Sequence, residues 1–118
     1  MLTYVVLINF TDQGIRNVKQ TTERTDHGGE IAEKHGLKLE QAYWTVGPYD
    51  MVAVFEAPDD EAMSAHLLEI SSSMGTIRTT TLRAYDEQEM SGIPPEDWLS
   101  RPTSENAVQE KFAQLLYF

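Results

Sequence analysis

The sequence predicts an α+β fold of the ferredoxin-like type, in which a four-stranded antiparallel sheet follows the element order βαββαβ. Two observations predict it. A near-continuous apolar run at residues 3–10 leads directly into a helical stretch. Further on, residues 43–60 read as a strand, a tight Gly-Pro turn, a second apolar strand and the capped start of a helix. One last strand at residues 76–85 completes the unit.

The helical stretch after the first strand is predicted to be two helices. Thr11 and Asp12 are good residues for a helix start, and Gly36 ends the stretch after His35. The two threonines at 21–22 weaken it, and the glycines at 28–29 each cost about 1 kcal/mol relative to alanine. We therefore expect one helix at residues 12–19 and another at 25–35, bent at the glycines.

The remaining elements follow from alternation and turn signals. Residues 38–46 and 50–57 predict two strands, and the acidic residues at 59–61 predict the start of a helix that runs to about residue 72. Because both crossovers of this unit are right-handed, the predicted strand order across the sheet is 4-1-3-2.

Both faces of the two central strands are apolar, which is unusual for a sheet that two helices can cover on one side only. An uncovered apolar face usually marks an interface, so we expect a second copy of the chain to pack sheet to sheet, as a homodimer or a higher even oligomer. The C-terminal extension is the rival cover. One face carries Tyr4, Val6, Ile8, Phe10, Met51, Ala53 and Phe55, and the other carries Val5, Leu7, Val52 and Val54.

The length and the net charge of the chain limit the classes of protein to which it can belong. The 118 residues suffice for one domain, which we place at residues 1–92, with an extension at 93–118. The net charge of −10 argues against nucleic-acid and anionic-membrane partners, and it is compatible with a positively charged protein partner. No stretch approaches the roughly 20 apolar residues of a membrane span. The chain has no cysteine and no evident secretory signal, so we expect a cytoplasmic location.

Three segments together resemble the GYD-domain family, which is named for a Gly-x-Tyr-Asp turn. They are residues 4–15, the turn Gly47-Pro48-Tyr49-Asp50 and residues 75–85. The resemblance covers residues 1 to about 90 and implies a ferredoxin-like protomer that pairs as a dimeric α+β barrel. It implies no activity, because members of the family are mostly of unknown function. The chain departs from the family pattern at the glycines of residues 28–29 and in its C-terminal extension.

The turn itself has two interpretations. In the structural one, Gly47 and Pro48 shape the connection and Asp50 hydrogen-bonds backbone. In the functional one, Tyr49 and Asp50 lie at the mouth of a cavity, with the phenol as a donor and the carboxylate as a general base.

A small-ligand site is predicted between the paired sheets. We expect Leu82 and Ala84 to pack under the helices, which would turn Thr79, Thr81 and Arg83 toward the partner sheet. Arg83 would then bind a carboxylate. The alternative is that these edge strands simply show polar side chains to water. The candidate ligand-binding residues are Tyr43, Thr45, Tyr49, Thr79, Thr81 and Arg83.

The histidines and the extension complete the candidates. No pair of histidines has the spacing of a metal site, so we expect no metal and no cofactor, although His27 beside two glycines would reach a pocket edge. Trp44 is expected in the core. After two prolines, residues 104–118 predict a short amphipathic helix that docks on its own subunit, on a neighbour or on another protein.

The sequence favours a homo-oligomeric α+β-barrel protein that binds a small polar or aromatic ligand in a sheet-lined cavity. Two alternatives stay open. One is a cofactor-free isomerase or oxygenase acting on a small aromatic or enone substrate, with Asp50 or His27 as base. Its binding groups would be Tyr49, Tyr43 and Arg83. The other is an assembly protein that recruits a partner through its C-terminal helix.

Overall fold

The structure is a computed structural model that describes residues 1–99, except for the side chains of residues 73, 74, 97 and 98. The chain divides into two compact units, Met1–Ala84 and Tyr85–Phe118. The boundary expected from sequence, between residues 92 and 93, stays a prediction. The helix predicted at residues 104–118 lies outside the described residues.

The first unit has the predicted fold. Its sheet has the order β2-β3-β1-β4 with every neighbouring pair antiparallel, which confirms the predicted strand order. The elements are β1 Leu2–Phe10, α1 Asp12–Arg16, a 3-10 turn Val18–Gln20, α2 Thr21–Lys34, β2 Lys38–Trp44, β3 Met51–Ala57, α3 Asp60–Met74 and β4 Ile77–Ala84. In the second unit the structure describes α4 Glu87–Ser91 and α5 Pro95–Leu99.

The helical region between β1 and β2 differs from the prediction. The first helix ends at Arg16 rather than at residue 19, and α2 begins at Thr21 rather than at residue 25. Tertiary contacts override the weak propensity of the threonines. The Thr21 hydroxyl accepts a hydrogen bond from Trp44 Nε1 at 2.9 Å, and the Thr25 hydroxyl donates to the Thr21 carbonyl at 2.9 Å.

The hydrophobic core lies between one face of the sheet and the helices. Alternate residues of β1 and β3 are buried on this helix-side face, and Ala32 of α2 and Met63 of α3 belong to the same core. Of the two sets that alternation separates on β1 and β3, the structure buries the one formed by Tyr4, Val6, Ile8, Met51, Ala53 and Phe55.

The assignment of the two faces of β4 was wrong. Thr81 pairs with Val6, and Arg83 pairs with Tyr4, so both lie on the helix-side face, as does Thr79 opposite Ile8. Directly paired residues in a ladder point to the same side of the sheet, which makes the register decisive. Leu82 pairs instead with Val5 on the opposite face and is 47% exposed.

The start of α1 is joined tightly to the start of β4. The Thr11 hydroxyl accepts from the Gly14 amide at 3.2 Å and donates to the Gly75 carbonyl at 2.9 Å. The Thr11 amide donates to the Thr76 carbonyl at 2.9 Å. A Cβ at Gly14 would collide with that same Thr76 oxygen, so this close approach requires glycine. The junction fixes the edge strand against the first crossover.

Candidate functional site

The second face of the sheet carries two cross-strand rows with an apolar centre, which we call the open face. One row is Gln41, Val54, Val5 and Leu82, and the other is Tyr43, Val52, Leu7 and Thr80. No helix of residues 1–84 lies over it, because the core packs Ala32 and Met63 against the other side. The four central residues are only partly buried in the single chain. The inference from sequence that both faces of the sheet centre are apolar is confirmed.

The structure does not bring the six predicted ligand-binding residues together. Tyr43 lies on the open face, where its hydroxyl donates to Gln41 Oε1 at 3.1 Å. Thr45 and Tyr49 belong to the β2–β3 connection, and the Thr45 hydroxyl donates to the Tyr49 carbonyl at 2.6 Å. The remaining three, Thr79, Thr81 and Arg83, are on the helix-side face. Counting the alternation from Ile77, which packs against the core, would have placed them correctly.

Arg83 is part of a cluster at the far end of the sheet. Its guanidinium lies 5.6 Å from the centre of the Tyr4 ring and donates to the Thr3 and Ala84 carbonyls. The Tyr4 hydroxyl donates in turn to the Asp60 carboxylate, in the first turn of α3. These contacts tie β1 and β4 to α3. They place Arg83 where it cannot face a partner sheet, which corrects the role expected for it.

Asp50 joins the β2–β3 connection to the end of β1. Its carboxylate accepts from the Phe10 amide at 2.8 Å, and its own amide donates to the Ile8 carbonyl at 2.8 Å. Its carbonyl accepts from the Thr45 amide at 2.9 Å. The carboxylate thus satisfies a backbone donor that the strand ladder leaves free. This arrangement favours the structural interpretation over a general base.

The three candidate catalytic residues lie on two different parts of the fold. Tyr49 and Asp50 follow β2, whereas His27 is on α2, where its ring lies 3.6 Å from the Glu30 carboxylate in an open groove. Among residues 1–99, no group of three or more His, Cys, Asp or Glu side chains is arranged to hold a metal ion. The part of the chain that the structure describes has no helix long and apolar enough to cross a membrane.

His66 of α3 is fully buried and packs on Phe55, with ring centroids 4.9 Å apart. Burial lowers the pKa of His66, because the imidazolium loses its hydration; the Gly28 backbone opposes the shift, His35 adds to it and Glu69 opposes it. On the surface beside it, the Lys34 ammonium donates to Glu69 at 2.8 Å and lowers the pKa of Glu69.

A cavity that the sequence analysis missed lies on the helix side of the sheet. It measures about 60 Å³ and extends between the first half of α2 and the side chains of Met51, Ala53 and Phe55 on β3. The wall that α2 contributes includes Thr21, Thr25 and Gly28, whose spacing places them on one face of the helix. Small and polar residues on the face of a helix that packs on a sheet leave space in the core, and this pattern was the signal in the sequence for the cavity.

Comparison with known proteins gives one family and a consistent fold. A family model described as the GYD domain matches residues 4–93. A protein of Thermus thermophilus, named glutamine synthetase and cystathionine beta-lyase binding protein, is 31% identical over 102 residues, which are 86% of this chain and 98% of that protein.

Two solved structures are similar in fold. The crystal structure of MtbAldR has a TM-score of 0.57 at 14% identity; the match covers 73% of this chain and 52% of that one, so the chain spans about half of its length. FFRP-DM1 has a TM-score of 0.51 at 20% identity, covering 72% of this chain and 100% of that one. At these identities the likeness shows the fold alone.

The first prediction concerns Asp50. Asp50→Ala is expected to lower the free energy of unfolding by about 1.5–3 kcal/mol, because it removes a charge-assisted acceptor from the Phe10 amide. Asp50→Asn keeps an acceptor oxygen and is expected to recover about half of the loss. Urea denaturation measures both. Asp26→Ala, at an exposed position of α2, is the control and should change stability by less than about 0.5 kcal/mol. Equal stability of Asp50→Ala and the wild type would contradict the structural role.

The second prediction concerns pH. In the unfolded chain His66 takes up a proton at a pKa of about 6.5, whereas in the folded chain it does so only at lower pH. Protonation below pH 6.5 therefore favours the unfolded chain. With respect to His66, the free energy of unfolding is highest above pH 6.5 and falls as the pH drops toward the pKa of the folded state. The contribution of Glu69, whose pKa the Lys34 hydrogen bond lowers from an ordinary value of 4.5, is lost at more acidic pH, as the pH falls below that value. His66→Met is expected to flatten the slope between about pH 6.5 and 5 in urea titrations, while the exposed His27→Gln keeps it. An unchanged slope in His66→Met would refute the assignment.

Proposed function

The chain belongs to the GYD domain family, and we propose that it is a self-associating protein that binds partner enzymes, with the open face as the contact between copies. The observation that carries the proposal is the apolar centre of that face. A cytoplasmic location, expected from the cysteine-free sequence, is part of the same proposal.

Burial energetics support self-association. Val5, Leu7, Val52 and Val54 form a contiguous block on adjacent strands, and each apolar side chain that goes from exposed to buried contributes about 1.5–3 kcal/mol. These residues are partly shielded by their neighbours, so the gain per residue is smaller than that. If a twofold axis passes through this block, the same four residues of each copy pack against those of the other copy, and both blocks are buried.

The charge distribution also supports a contact between copies. The side chains that flank the apolar block are neutral: Gln41, Tyr43 and Thr80. Charged residues lie around this centre: Lys38 pairs with Glu56 across the β2–β3 ladder and forms an ion pair with Glu40 at 3.4 Å, and Arg78 lies opposite Asn9. An apolar centre with a charged rim is the usual anatomy of a protein interface. Two chains of net charge −10 therefore meet without bringing like charges together at the centre.

Enzyme binding is supported by the Thermus relative, whose alignment extends over nearly all of that protein and most of this chain. We propose that this chain likewise binds glutamine synthetase, cystathionine β-lyase or both. The excess of 19 acidic over 9 basic residues favours a basic surface on the partner. The amphipathic helix predicted at residues 104–118 is proposed as an additional contact, as a helix in a groove of the enzyme.

A small ligand between paired sheets is a second candidate. The hydrogen-bonded pair of Tyr43 and Gln41 on the open face favours it, because two copies would bring two such pairs to the edges of one shared space. Thr45 and Tyr49 would contribute at the β2–β3 connection.

The third prediction tests the open face. Val54→Glu is expected to convert the oligomer to a monomer, because sheet pairing would bury two unpaired carboxylates at the centre of the contact. Light scattering after size exclusion measures the mass. Leu68→Glu is the matched control: Leu68 is 72% exposed on α3, away from the open face, so the oligomer should persist.

Two results would contradict self-association through this face. One is a monomeric wild type at concentrations of about 100 μM, which a stable interface of standard size should survive. The other is an oligomer of unchanged mass in Val54→Glu, provided that circular dichroism shows the variant to be folded.

The fourth prediction concerns partner enzymes. The full chain is expected to bind glutamine synthetase or cystathionine β-lyase from its own source with a Kd in the micromolar range, and raising the salt should weaken binding because the chain is acidic. Biolayer interferometry with each immobilised enzyme measures this. Deletion of residues 94–118 should weaken binding and leave the number of subunits in the oligomer unchanged. Absence of binding to both enzymes would refute the partner assignment, and full binding by the shortened chain would refute the role of the extension.

A further inference from the structure

The cavity beneath α2 exists because the two halves of that helix differ. Ile31 and Ala32 in the second half are buried, as expected for a helix that packs on a sheet. In the first half, the positions facing the sheet are Thr21, Thr25 and Gly28. A Cβ at Gly28 would have no neighbouring atom within 4 Å, so the helix has room for a side chain that the sequence does not provide.

Such a void is costly in a small core. Protein interiors are close-packed, and unfilled volume lowers stability because the lining atoms lack contacts. Three large apolar side chains, Phe10 of β1 and Met51 and Phe55 of β3, line the space, and water gains few hydrogen bonds among them. A ligand of matching shape would restore those contacts.

Arg24 gives this cavity its chemical character. Its guanidinium lies 5.9 Å from the centre of the Phe10 ring and donates to the Asn17 carbonyl at 2.6 Å and to the Gly14 carbonyl at 3.4 Å. No ion pair joins Arg24 to a carboxylate within residues 1–99. A guanidinium has five N–H donors, so these two bonds hold the group in place and leave donors for a further acceptor.

The threonines complete the polar edge of the cavity. The Thr21 hydroxyl accepts from Trp44 Nε1, so its own proton is available to an incoming acceptor. An arginine held by the backbone, next to a hydroxyl donor, matches the planar geometry of a carboxylate better than that of a phosphate, which usually requires several cations. The apolar lining excludes a second charge on the ligand.

We propose that this cavity binds a small monocarboxylate with an apolar tail, whose carboxylate pairs with Arg24 and whose tail fills the space under Gly28. A volume of about 60 Å³ corresponds to about four water-sized units, which suits a tail of about four or five carbon atoms. The site lies on the helix side of the sheet and within one protomer. It is therefore independent of the contact between copies and of the enzyme-binding function.

The test uses hexanoate as the probe, with the full chain in solution. In ¹H–¹⁵N spectra, hexanoate is expected to shift the amides of Thr21, Thr25 and Gly28 saturably, with a Kd of about 1 mM or tighter. Hexanamide has the same shape without the charge and should bind at least about tenfold more weakly, since it cannot form the ion pair. Acetate, which lacks the tail, should produce no saturable shift of Gly28. Equal binding of hexanoate and hexanamide, or no saturable shift with hexanoate, would overturn the proposal without any variant.

Variants locate the site. Arg24→Gln is expected to weaken hexanoate binding at least about tenfold, and Gly28→Leu should abolish it by filling the cavity. Arg16→Gln is the matched control, because the Arg16 side chain bonds the Asp12 carbonyl in its own helix and does not line the cavity. Its affinity should equal that of the wild type. Wild-type affinity in folded Arg24→Gln or folded Gly28→Leu would overturn the assignment.

Discussion

A sheet whose two central strands are apolar on both faces has to bury both of them, and the two crossover helices can cover only one. This constraint organises the first unit of the chain. The register of β1 with β3 and β4 puts Tyr4, Val6 and Ile8 under the helices and leaves Val5 and Leu7 on the other side. Everything proposed about self-association follows from that division, because apolar surface in the middle of a sheet is stable only when something packs on it.

The turn that names the family has an architectural task in this chain. Asp50 closes the end of the β1–β3 ladder by accepting from the Phe10 amide, and Thr11, the residue after Phe10, caps α1 and bonds the start of β4. The Phe10 amide thus finds its hydrogen-bond partner in the β2–β3 connection, and Thr11 finds its partners in the connection between α3 and β4. A short side chain with one well-placed oxygen at each position satisfies backbone groups that strand pairing leaves free.

Helix α2 combines two requirements along one face. Its second half contributes Ile31 and Ala32 to the core, and its first half presents threonine, arginine and glycine to the same sheet. The first arrangement stabilises the fold, and the second leaves space and a fixed cation beside it. His66, buried on the neighbouring helix, adds a further destabilising group, since an imidazole removed from water resists protonation.

The sequence by itself determined the element types, the strand order and the apolar character of both faces of the central strands. Its signals, which are a side-chain period of two, a glycine after a helix and a capping residue before one, each extend over only a few residues. Only the tertiary structure decided which face each edge-strand residue occupies. Leu82 and Ala84 suggested one register for β4, but pairing with β1 turned Thr79, Thr81 and Arg83 to the helices, and a one-residue difference inverts every side chain of a strand. The early start of α2 and the cavity beneath it were likewise beyond local patterns. Both arise where Trp44, Thr21 and β3 meet, and such contacts join residues far apart in the chain.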